Sequence, residues 1–546
     1  MPVAIAIPES RIREAAGYWP GKTIADYLDR AIAAAPDKAA IVDRNAMTGR
    51  STTLTYRQLG RLVDRIAMSL VDMGIAPGDV VSCQLPNWWE FTALHLACVR
   101  IGAVTNPIMP IFRDREVGYM LGHAESRIVV VPRLFRGFDY PEMIARLRER
   151  LPRLERVIVV GGDGPDAFET AFLGTRRERD PARNRVFAER RMGPDDVMQV
   201  LYTSGTTGEP KGVMHTANTL FSNIVVYAGR LALSSDDIVL MASPMAHQTG
   251  FMYGLMMPVY LGCKAVLQDV WDPAVAAARI EDEAVTFTMA STPFLADLTD
   301  TPALAATDIS SLGIFLAAGA PIPSVLAERA AARLGVEIVS AWGMTENGAV
   351  TTTKLGDPPA KAFGSDGTAV PGMEVRVRTS DGDLAPAGVE GRLEARGAGN
   401  FVGYLKRPEL GGPDEDGWFD TGDLARMDDD GYIRITGRSK DIISRGGENV
   451  PVVEVEEILY RHPAVQAAAV VAMPDDRLGE RGCAFVSLRP ETSLDLEAMR
   501  RFLADAGMAK QYWPERLEIT AEMPRTASGK IQKFRLREIA ADFRLE

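Results

Sequence analysis

Hydrophobic residues recur at helical spacing over residues 55–74, and Gly74 stands where that helix would end. A second helical pattern covers residues 90–101. Short apolar runs of strand length occur at 80–85, 128–132 and 157–162. Because strands alternate with helices along this part of the chain, the pattern predicts an α/β fold with a mostly parallel sheet.

The pattern changes after residue 370, where short β-type runs stand among Gly, Asp and Pro. From about residue 440 a compact α+β unit is predicted, with a helix that begins at Pro451 and another that ends at Gly507. We therefore predict a large multi-sheet amino-terminal domain over residues 1–438 and a small α+β carboxy-terminal domain over residues 439–546, joined by a hinge.

Composition is that of an ordinary globular protein, with 46% hydrophobic and 25% charged residues among 546. No apolar run approaches the roughly 18 residues of a membrane helix, and the amino terminus lacks the basic region of a signal peptide. The four cysteines are scattered, with no CxxC pair. They predict reduced, buried thiols of a cytoplasmic protein and neither a metal site nor a disulfide framework.

The formal net charge of −12 argues against a general nucleic-acid binder, which needs a basic surface. It also means that any anionic ligand must be held by local Lys, Arg and backbone N–H groups. Salt screens the remaining long-range repulsion beyond about 8 Å.

Such a local anion site is predicted in YTSGTTGEPKG, residues 202–212, which follows an apolar strand-like run. Small and hydroxylated residues there can point consecutive N–H and hydroxyl groups at one phosphate, and a lysine adds charge. The string is not a Walker A loop, and a plain Gly/Thr-rich turn is the alternative. The candidate phosphate ligands are Thr203, Ser204, Gly205, Thr206, Thr207, Gly208 and Lys211.

This string resembles the signature of the adenylate-forming superfamily, which contains acyl-CoA synthetases, luciferases and peptide-synthetase adenylation domains. Further motifs of that superfamily follow in the same order: AAGAP (317–321), WGMTE (342–346), GWFDTGD (417–423), GYIRITGRSKDIISRGGENV (431–450) and PRTASGKIQK (524–533). The resemblance covers nearly the whole chain, from about Leu54 to Lys533. Within the superfamily, the segment 243–255 resembles that of medium-chain fatty acid and alicyclic carboxylate ligases, including cyclohexanecarboxylate–CoA ligase.

The resemblance implies an ATP-dependent acyl-CoA synthetase. A carboxylate would attack the α-phosphorus of ATP and release pyrophosphate, and coenzyme A would then displace AMP from the acyl-adenylate. ATP, Mg²⁺ and coenzyme A are the implied cofactors and substrates. The enzyme would have to hold a polyanion and neutralise charge on the α-phosphoryl group.

Nucleotide contacts are implied residue by residue. Thr345 would hydrogen-bond the α-phosphate and Glu346 would hold Mg²⁺, although a helix cap is the alternative interpretation of this pair. Asp423 and Arg438 would bind the ribose or phosphate, against the alternatives of a turn aspartate and a solvated arginine. The segments expected to lie along the adenine and nucleotide comprise Gly319, Ala320, Pro321, Trp342, Gly343 and Met344.

Lys530 resembles the family's catalytic lysine, whose ammonium would stabilise the transition state of adenylation. The small domain would rotate about Lys440 between the two half-reactions. Rotation would bring Ser444, Gly446 and Gly447 to the site, where the glycines leave room for pantetheine. A tight turn before the next helix explains the same glycines, and both interpretations can hold together.

The segment 243–255 resembles part of the family's acyl pocket. His247, grouped with the catalytic candidates, is expected as a pocket wall or gate, with a core histidine as the rival interpretation. It is followed by Gln248 and not by the aspartate that amino-acid-activating members carry. Phe251, Met252, Tyr253 and Met344 predict a pocket of moderate size for a medium-chain fatty or alicyclic acid.

Three alternatives remain beside the acyl-CoA synthetase: an adenylating enzyme that loads a carrier protein, a luciferase-like oxygenase, and an inactive nucleotide-binding homologue. The presence of Lys211, Glu346, Asp423 and Lys530 counts against the inactive homologue. The identity of the acid and the oligomeric state stay open from sequence.

Overall fold

The computed structural model describes residues 15, 17–203, 209–320, 322–439, 441–446, 448–526 and 529–543. Several residues nominated from the sequence lie outside these ranges: Ser204, Gly205, Thr206, Thr207, Gly208, Pro321, Lys440 and Gly447. No helix within the described ranges has the length and apolar character needed to cross a bilayer. All four cysteines are buried and free.

The first large sheet is built from one continuous stretch of chain, with the strand order β10-β9-β4-β3-β5-β8. Its neighbours pair in parallel except for β9 and β10, which form an antiparallel edge. Strand β5 is buried along its whole length, as expected for a parallel strand covered on both faces. The strands are β3 (Val80–Cys83), β4 (Val104–Pro107), β5 (Ile128–Pro132), β8 (Arg156–Val160), β9 (Val197–Thr203) and β10 (Lys211–Thr216).

The second large sheet has the order β17-β16-β15-β14-β13-β11-β12-β1-β2. Its centre is parallel, and antiparallel strands close both edges. The strands are β1 (Ala39–Arg44), β2 (Ser51–Thr55), β11 (Ile238–Met241), β12 (Lys264–Gln268), β13 (Phe287–Ala290), β14 (Ile314–Ala318), β15 (Glu337–Met344), β16 (Gly348–Thr352) and β17 (Thr368–Ala369).

The helix predicted over 55–74 spans Tyr56–Asp72. Thr55 caps its first turn in a reciprocal pair of hydrogen bonds with Gln58, and Gly74 follows with φ +84°. The α-helices are α1 (Ile24–Ala34), α2 (Tyr56–Asp72), α3 (Trp89–Arg100), α4 (Asp114–His123), α5 (Tyr140–Leu147), α6 (Arg183–Arg190), α7 (Ala217–Arg230), α8 (Met257–Leu261), α9 (Pro273–Glu283), α10 (Thr292–Asp300), α11 (Ser324–Leu334), α12 (Pro359–Ala362), α13 (Val452–Arg461), α14 (Leu496–Asp505) and α15 (Lys533–Ala540).

The β-rich region expected after residue 370 is a four-stranded antiparallel sheet. Its strands are β18 (Met373–Arg378), β19 (Gly391–Gly397), β20 (Trp418–Met427) and β21 (Ile433–Arg438). A separate two-stranded ribbon pairs β6 (Leu134–Phe135) with β7 (Phe138–Asp139).

The carboxy-terminal unit has a sheet of its own, ordered β23-β22-β25-β24 with β26 beside β25. Its strands are β22 (Ile443–Arg445), β23 (Glu448–Val450), β24 (Val465–Asp475), β25 (Gly479–Leu488) and β26 (Arg516–Ile519). The chain thus passes from the four-stranded sheet, which ends at Arg438, to the carboxy-terminal sheet, which begins at Ile443. The α/β fold, with a large amino-terminal and a small carboxy-terminal domain, is confirmed, whereas the boundary at 438/439 stays a prediction.

The small domain contacts the large one through polar side chains. Glu457 on α13 accepts a hydrogen bond from the Ser324 hydroxyl at 3.0 Å, and its other oxygen lies 3.4 Å from the Arg434 guanidinium. Arg489 lies 3.5 Å from Asp300 at the end of α10. Such partly exposed ion pairs are worth at most about 1 kcal/mol each. These contacts would therefore oppose a movement of the small domain only weakly.

Candidate active site

Asp423, on strand β20, joins two of the predicted nucleotide segments. Its carboxylate is buried, with 4% of the residue exposed. Trp342 Nε1 donates to one carboxylate oxygen at 2.9 Å, and Arg438 Nε donates to the other at 2.8 Å. The structure therefore brings three candidates from β15, β20 and β21 together.

Glu346 lies in the turn between β15 and β16, a few residues beyond Trp342. The Tyr404 hydroxyl donates to Glu346 Oε1 at 2.9 Å. Burial raises the pKa of Glu346, against the lowering effects of that hydrogen bond and of the Lys211 and Arg438 charges. Lys211 Nζ also lies 5.0 Å from the centre of the Tyr404 ring. Lys211 and Glu346 thus face the same space.

Tyr404, which contacts the predicted metal ligand Glu346, is not among the residues predicted from the sequence. It stands in FVGYLKRP, residues 401–408. The aromatic residues beside Gly403 are the only unusual feature of this stretch. No local pattern connects Tyr404 to Glu346, which lies 58 positions earlier in the chain.

Thr345 is held through its backbone by a second residue that sequence reasoning missed. His215, on β10, donates through Nε2 to the Thr345 carbonyl at 2.8 Å. The other ring nitrogen contacts the Thr219 hydroxyl at 3.0 Å. His215 follows Lys211 by four positions, so the strand after the predicted phosphate loop contacts the WGMTE turn.

Gly343 must be a glycine for a local reason. A Cβ atom there would lie 1.8 Å from the Gly348 carbonyl oxygen on the facing strand. Met344 N donates to Asn347 Oδ1 at 3.2 Å within the same hairpin. This close backbone approach sets the tight turn that carries Thr345 and Glu346.

The predicted adenine segment follows β14. Gly319 has φ +83°, and a Cβ there would meet open space. The Thr292 hydroxyl donates to the Ala320 carbonyl at 3.3 Å. Thr203 ends β9 and is paired in register with Lys211, so these two residues frame the predicted phosphate loop.

Lys530 reaches the same region from the small domain. A Cβ on the preceding Gly529 would lie 2.7 Å from Ser291 Oγ, so this segment packs directly on the start of α10. Burial of the ammonium, with a further contribution from Arg438, lowers the pKa of Lys530 to about 8, while Asp423 and Asp441 oppose the shift. The charges of Asp423 and Arg438 therefore act on the Lys530 ammonium.

His247 is the neighbour of Lys530 on the other side. Burial and the Lys530 charge lower the pKa of His247 to about 4, so the imidazole is neutral at physiological pH. The Phe251 amide donates to the His247 carbonyl at 2.9 Å, which starts a buried helical turn. The turn connects His247 to the fully buried Phe251.

The predicted acyl segment is buried, and Tyr253 within it is hydrogen-bonded to two other parts of the chain. Phe251, Met252 and Tyr253 are at most 2% exposed. The Tyr253 hydroxyl donates to Asn223 Oδ1 at 2.6 Å and accepts from the Ala349 amide at 3.0 Å. Asn223 Nδ2 donates to the Ala349 carbonyl at 2.7 Å, which closes a ring of hydrogen bonds. This ring of hydrogen bonds ties together the buried helical turn at Tyr253, helix α7 at Asn223 and strand β16 at Ala349.

Ser444 and Gly446 lie on the β22–β23 hairpin, at an exposed surface of the small domain. The Ser444 amide donates to Glu480 at 2.8 Å and the Gly446 amide to Leu478 at 2.8 Å. These two residues thus make their hydrogen bonds within the small domain, and Lys530 alone among the described small-domain candidates is docked at the cluster.

Comparison with known proteins assigns this arrangement to a family. The family model described as "AMP-binding enzyme" matches residues 28–405, and "AMP-binding enzyme C-terminal domain" matches residues 454–530. The chain belongs to the AMP-binding enzyme family.

Two curated relatives show the range of acids in this AMP-binding family. The medium-chain fatty-acid–CoA ligase of Escherichia coli (strain K12) is 38% identical over 525 residues, which cover 96% of this chain and 91% of the relative. The salicylyl-CoA synthase/salicylate adenylyltransferase of Streptomyces sp is 34% identical over 537 residues, which cover 97% and 95%.

A solved structure gives the same family. The anthranilate CoA ligase AuaEII in complex with anthranoyl-AMP superposes with a TM-score of 0.85 and 26% identity, over 95% of this chain and 98% of that one. The resemblance to acyl-CoA ligases is thereby confirmed. The protein is an AMP-forming acid–thiol ligase, an ATP-using enzyme that adenylates a carboxylic acid.

Proposed function

We propose that this ligase adenylates a medium-chain fatty or alicyclic acid and transfers the acyl group to coenzyme A. The observation that carries the proposal is the convergence of Lys530 from the small domain with Asp423, Arg438 and His247 of the large domain. Together these side chains would bind the nucleotide and present a buried cation to the reacting atoms.

The nucleotide would lie between the two large-domain clusters. Asp423 would accept the ribose hydroxyls, and Arg438 would share that contact. Lys211 and the loop it follows would hold the phosphates, with Thr345 on the α-phosphate.

Glu346 fits Mg²⁺, which takes one or two protein carboxylates and keeps phosphate and water ligands. One Glu346 oxygen accepts from Tyr404, and burial raises the pKa of this carboxyl, which an additional positive charge beside it would lower again. The bound ion would supply that charge and neutralise the phosphates. Among the described residues there is no group of three or more His, Cys, Asp or Glu able to hold a metal, so the phosphates would complete its coordination.

Lys530 would act on the reacting atoms. Its ammonium can contact both the attacking carboxylate and the α-phosphate, and it stabilises the charge that gathers there during adenylation. The neutral His247 beside it adds no competing positive charge. His247 therefore suits a pocket wall and not a second cation.

The acid is inferred from the pocket wall. Phe251 and Met252 offer apolar contact, worth about 0.8 kcal/mol for each buried methylene. Gln248 brings no charge for a substrate ammonium, and an unpaired buried charge costs several kcal/mol. We therefore expect aliphatic acids of moderate size and no free amino acids.

Coenzyme A is favoured as the acyl acceptor by a groove on the small domain. The groove has a volume of about 750 Å³ and is lined by Arg445, Arg500, Arg501, Lys510 and Trp513, with the carboxylates of Glu497 and Glu515 at the same wall. Arg445 adjoins Gly446, where the pantetheine passage is proposed. A cationic groove with an indole suits the phosphorylated nucleotide end of coenzyme A.

Pyrophosphate release tests the reaction and the acid together. Acetate, hexanoate, octanoate, palmitate, cyclohexanecarboxylate, benzoate, salicylate and leucine should be compared at equal concentration. We expect kcat/KM to rise about fourfold for each methylene until the pocket is full. Acetate or leucine as the best substrate would contradict the acid assignment, and salicylate as the best would assign the chain to aryl acids.

The acceptor is tested by thioester formation with coenzyme A and with its form that lacks the ribose phosphate. Arg500→Glu and Arg501→Glu should raise the KM for coenzyme A and leave pyrophosphate release unchanged. Transfer to a carrier protein, with none to coenzyme A, would make the enzyme a carrier-protein loader.

A further inference from the structure

Four buried polar side chains form a row across one face of the six-stranded sheet and the helix that covers it. Thr105 on β4 is paired in register with Gln199 on β9, and Gln199 with His215 on β10. Paired residues present their side chains on the same face of a sheet. His95 on α3 completes the row, because its Nδ1 lies 2.9 Å from the Thr105 hydroxyl. All four residues are 0% exposed.

Both ends of this row reach the active site. His215 donates to the carbonyl of Thr345 at 2.8 Å. At the other end the His95 ring lies 4.6 Å from the Phe251 ring, centre to centre. Phe251 stands one helical turn beyond His247, whose imidazole adjoins Lys530. The row therefore borders the interior that the acyl chain would enter.

Two members of the row, His95 at one end and Gln199 in the middle, carry polar atoms without a hydrogen-bond partner among the described residues. His95 Nε2 and both amide atoms of Gln199 have no hydrogen-bond partner among the described residues. Gln248, in the turn between His247 and Phe251, is 3% exposed and its two amide atoms are likewise unpartnered there. Buried polar groups are nearly always paired with protein, water or ligand, so atoms of this kind indicate a partner from outside the chain.

The chemistry of these groups selects the partner. The amides of Gln199 and Gln248 each offer a donor and an acceptor and carry no charge. Burial lowers the pKa of His95 to about 3, so its imidazole is neutral as well. A second carboxylate or an ammonium on the substrate would find no counter-charge in this set. A hydroxyl, which donates and accepts, or a carbonyl oxygen is complementary to it.

We propose that the preferred acid carries a neutral hydroxyl or oxo group at the end remote from its carboxylate, and that Gln199 and His95 hydrogen-bond this group. The inference rests on the proposed adenylating function and narrows its substrate class. It makes Gln199 a specificity-determining residue, positioned between the wall at Phe251 and the turn at Thr345.

The test compares acids of matched shape in the wild-type enzyme. In each pair one acid has a hydroxyl where the other has a methyl group. The pairs are para-hydroxybenzoate with para-methylbenzoate, omega-hydroxyhexanoate with heptanoate, and 4-hydroxycyclohexanecarboxylate with 4-methylcyclohexanecarboxylate. In the pair whose ring or chain fits, the hydroxyl acid should give the higher kcat/KM for pyrophosphate release, by about tenfold for one additional hydrogen bond.

Gln199→Leu should reverse this preference, because it removes both amide atoms at similar volume. Met198→Leu is the matched control: the neighbouring residue of β9 projects to the opposite face of the sheet, and its substitution should leave the preference unchanged. Thermal unfolding of both variants checks that the strand still forms. Should Gln199→Leu fail to fold, the wild-type pairs decide the matter alone.

The outcomes separate this inference from the proposed function. Equal or higher kcat/KM for the methyl acids in the wild-type enzyme would overturn the polar subsite while the ligase activity stands. Pyrophosphate release from none of the acids would instead contradict the proposed acid class. A hydroxyl preference that Gln199→Leu does not alter would overturn the assignment to Gln199.

Discussion

The small domain presents two candidate segments in different environments. The Lys530 segment is docked, with Gly529 packed on Ser291 and the Lys530 ammonium beside Asp423 and Arg438. The Ser444–Gly446 hairpin is exposed and makes its hydrogen bonds within its own domain. Among the described residues, this arrangement therefore brings the Lys530 cation to the site and leaves Ser444 and Gly446 at the surface of the small domain.

From this difference we predict that each segment serves a separate half-reaction. The docked arrangement would serve adenylation, in which the buried cation would face the α-phosphate. Thioester formation would require the small domain to turn until the hairpin faces the site. The weak polar contacts of Glu457 and Arg489 are compatible with such a movement.

Lys530→Ala is expected to have the largest effect. Loss of one transition-state stabiliser should lower acyl-adenylate formation about 100- to 1000-fold. Thioester formation from supplied acyl-adenylate should stay near the wild-type rate. Lys533→Ala serves as the control, because Lys533 is paired with Glu456 at 2.7 Å within the small domain. An equal loss in both half-reactions would show that Lys530 is not specific to adenylation.

Gly529→Val tests whether the packing of the Lys530 segment on Ser291 matters separately from the charge of Lys530. Its Cβ would collide with Ser291 Oγ, so adenylation should fall about 10- to 100-fold although Lys530 is retained. Gly507→Val is a matched control, since Gly507 has a similar positive φ of +80° but open space around its Cβ. If both variants lose adenylation equally, backbone strain and not docking is responsible.

Gly446→Leu addresses the other segment. A long side chain on the exposed hairpin should leave pyrophosphate release intact and slow transfer to coenzyme A by about tenfold or more. Gly431→Leu controls for backbone strain, because Gly431 also has a positive φ and a Cβ there would meet open space. Transfer at the wild-type rate would remove the hairpin from the proposed passage.

The pH dependence of adenylation should report the docked lysine. Burial lowers the pKa of Lys530 to about 8, so the ammonium is present below that pH and is lost as pH rises through it. In the free enzyme kcat/KM for pyrophosphate release should fall up to about tenfold for each pH unit above about 8. Lys530→Arg, which stays charged, should flatten this limb even if its rate is lower. An unchanged alkaline limb in Lys530→Arg would assign the titration elsewhere.

Much of the fold could be predicted because its signals are local. The helix at Tyr56–Asp72 differs from the expected 55–74 only in its caps, and strand Ile128–Pro132 coincides with the expected run. The motif residues Trp342, Asp423 and Arg438 were nominated separately, and the structure brings them within hydrogen-bond distance. Such residues can be found from sequence because they lie in short motifs with fixed neighbours, as Trp342 does beside Gly343, where a Cβ atom would collide with the facing strand.

The remaining site residues could not be predicted because their contacts join distant segments. Tyr404 and His215 each hold a motif residue from far along the chain. The wall around Tyr253 depends on Asn223 and Ala349, which no periodicity connects to it. The apolar pocket predicted from Phe251, Met252, Tyr253 and Met344 stays a prediction, and the polar subsite at the buried Gln199 is a proposal. The roles of all these residues, and the hinge at Lys440, stay predictions.

The strand orders of the two large sheets also bear on how the chain reaches its native state. The six-stranded sheet is contiguous, from Val80 to Thr216, whereas the nine-stranded sheet begins with β1 and β2 and pairs β1 with β12 at residues 264–268. During synthesis the first hairpin must therefore wait for a partner strand while the intervening sheet is completed. Slow, non-local pairing follows from this order. Pulse-labelled hydrogen exchange during refolding should show protection of residues 80–216 before residues 39–55, and simultaneous protection would mean that both sheets assemble in one step.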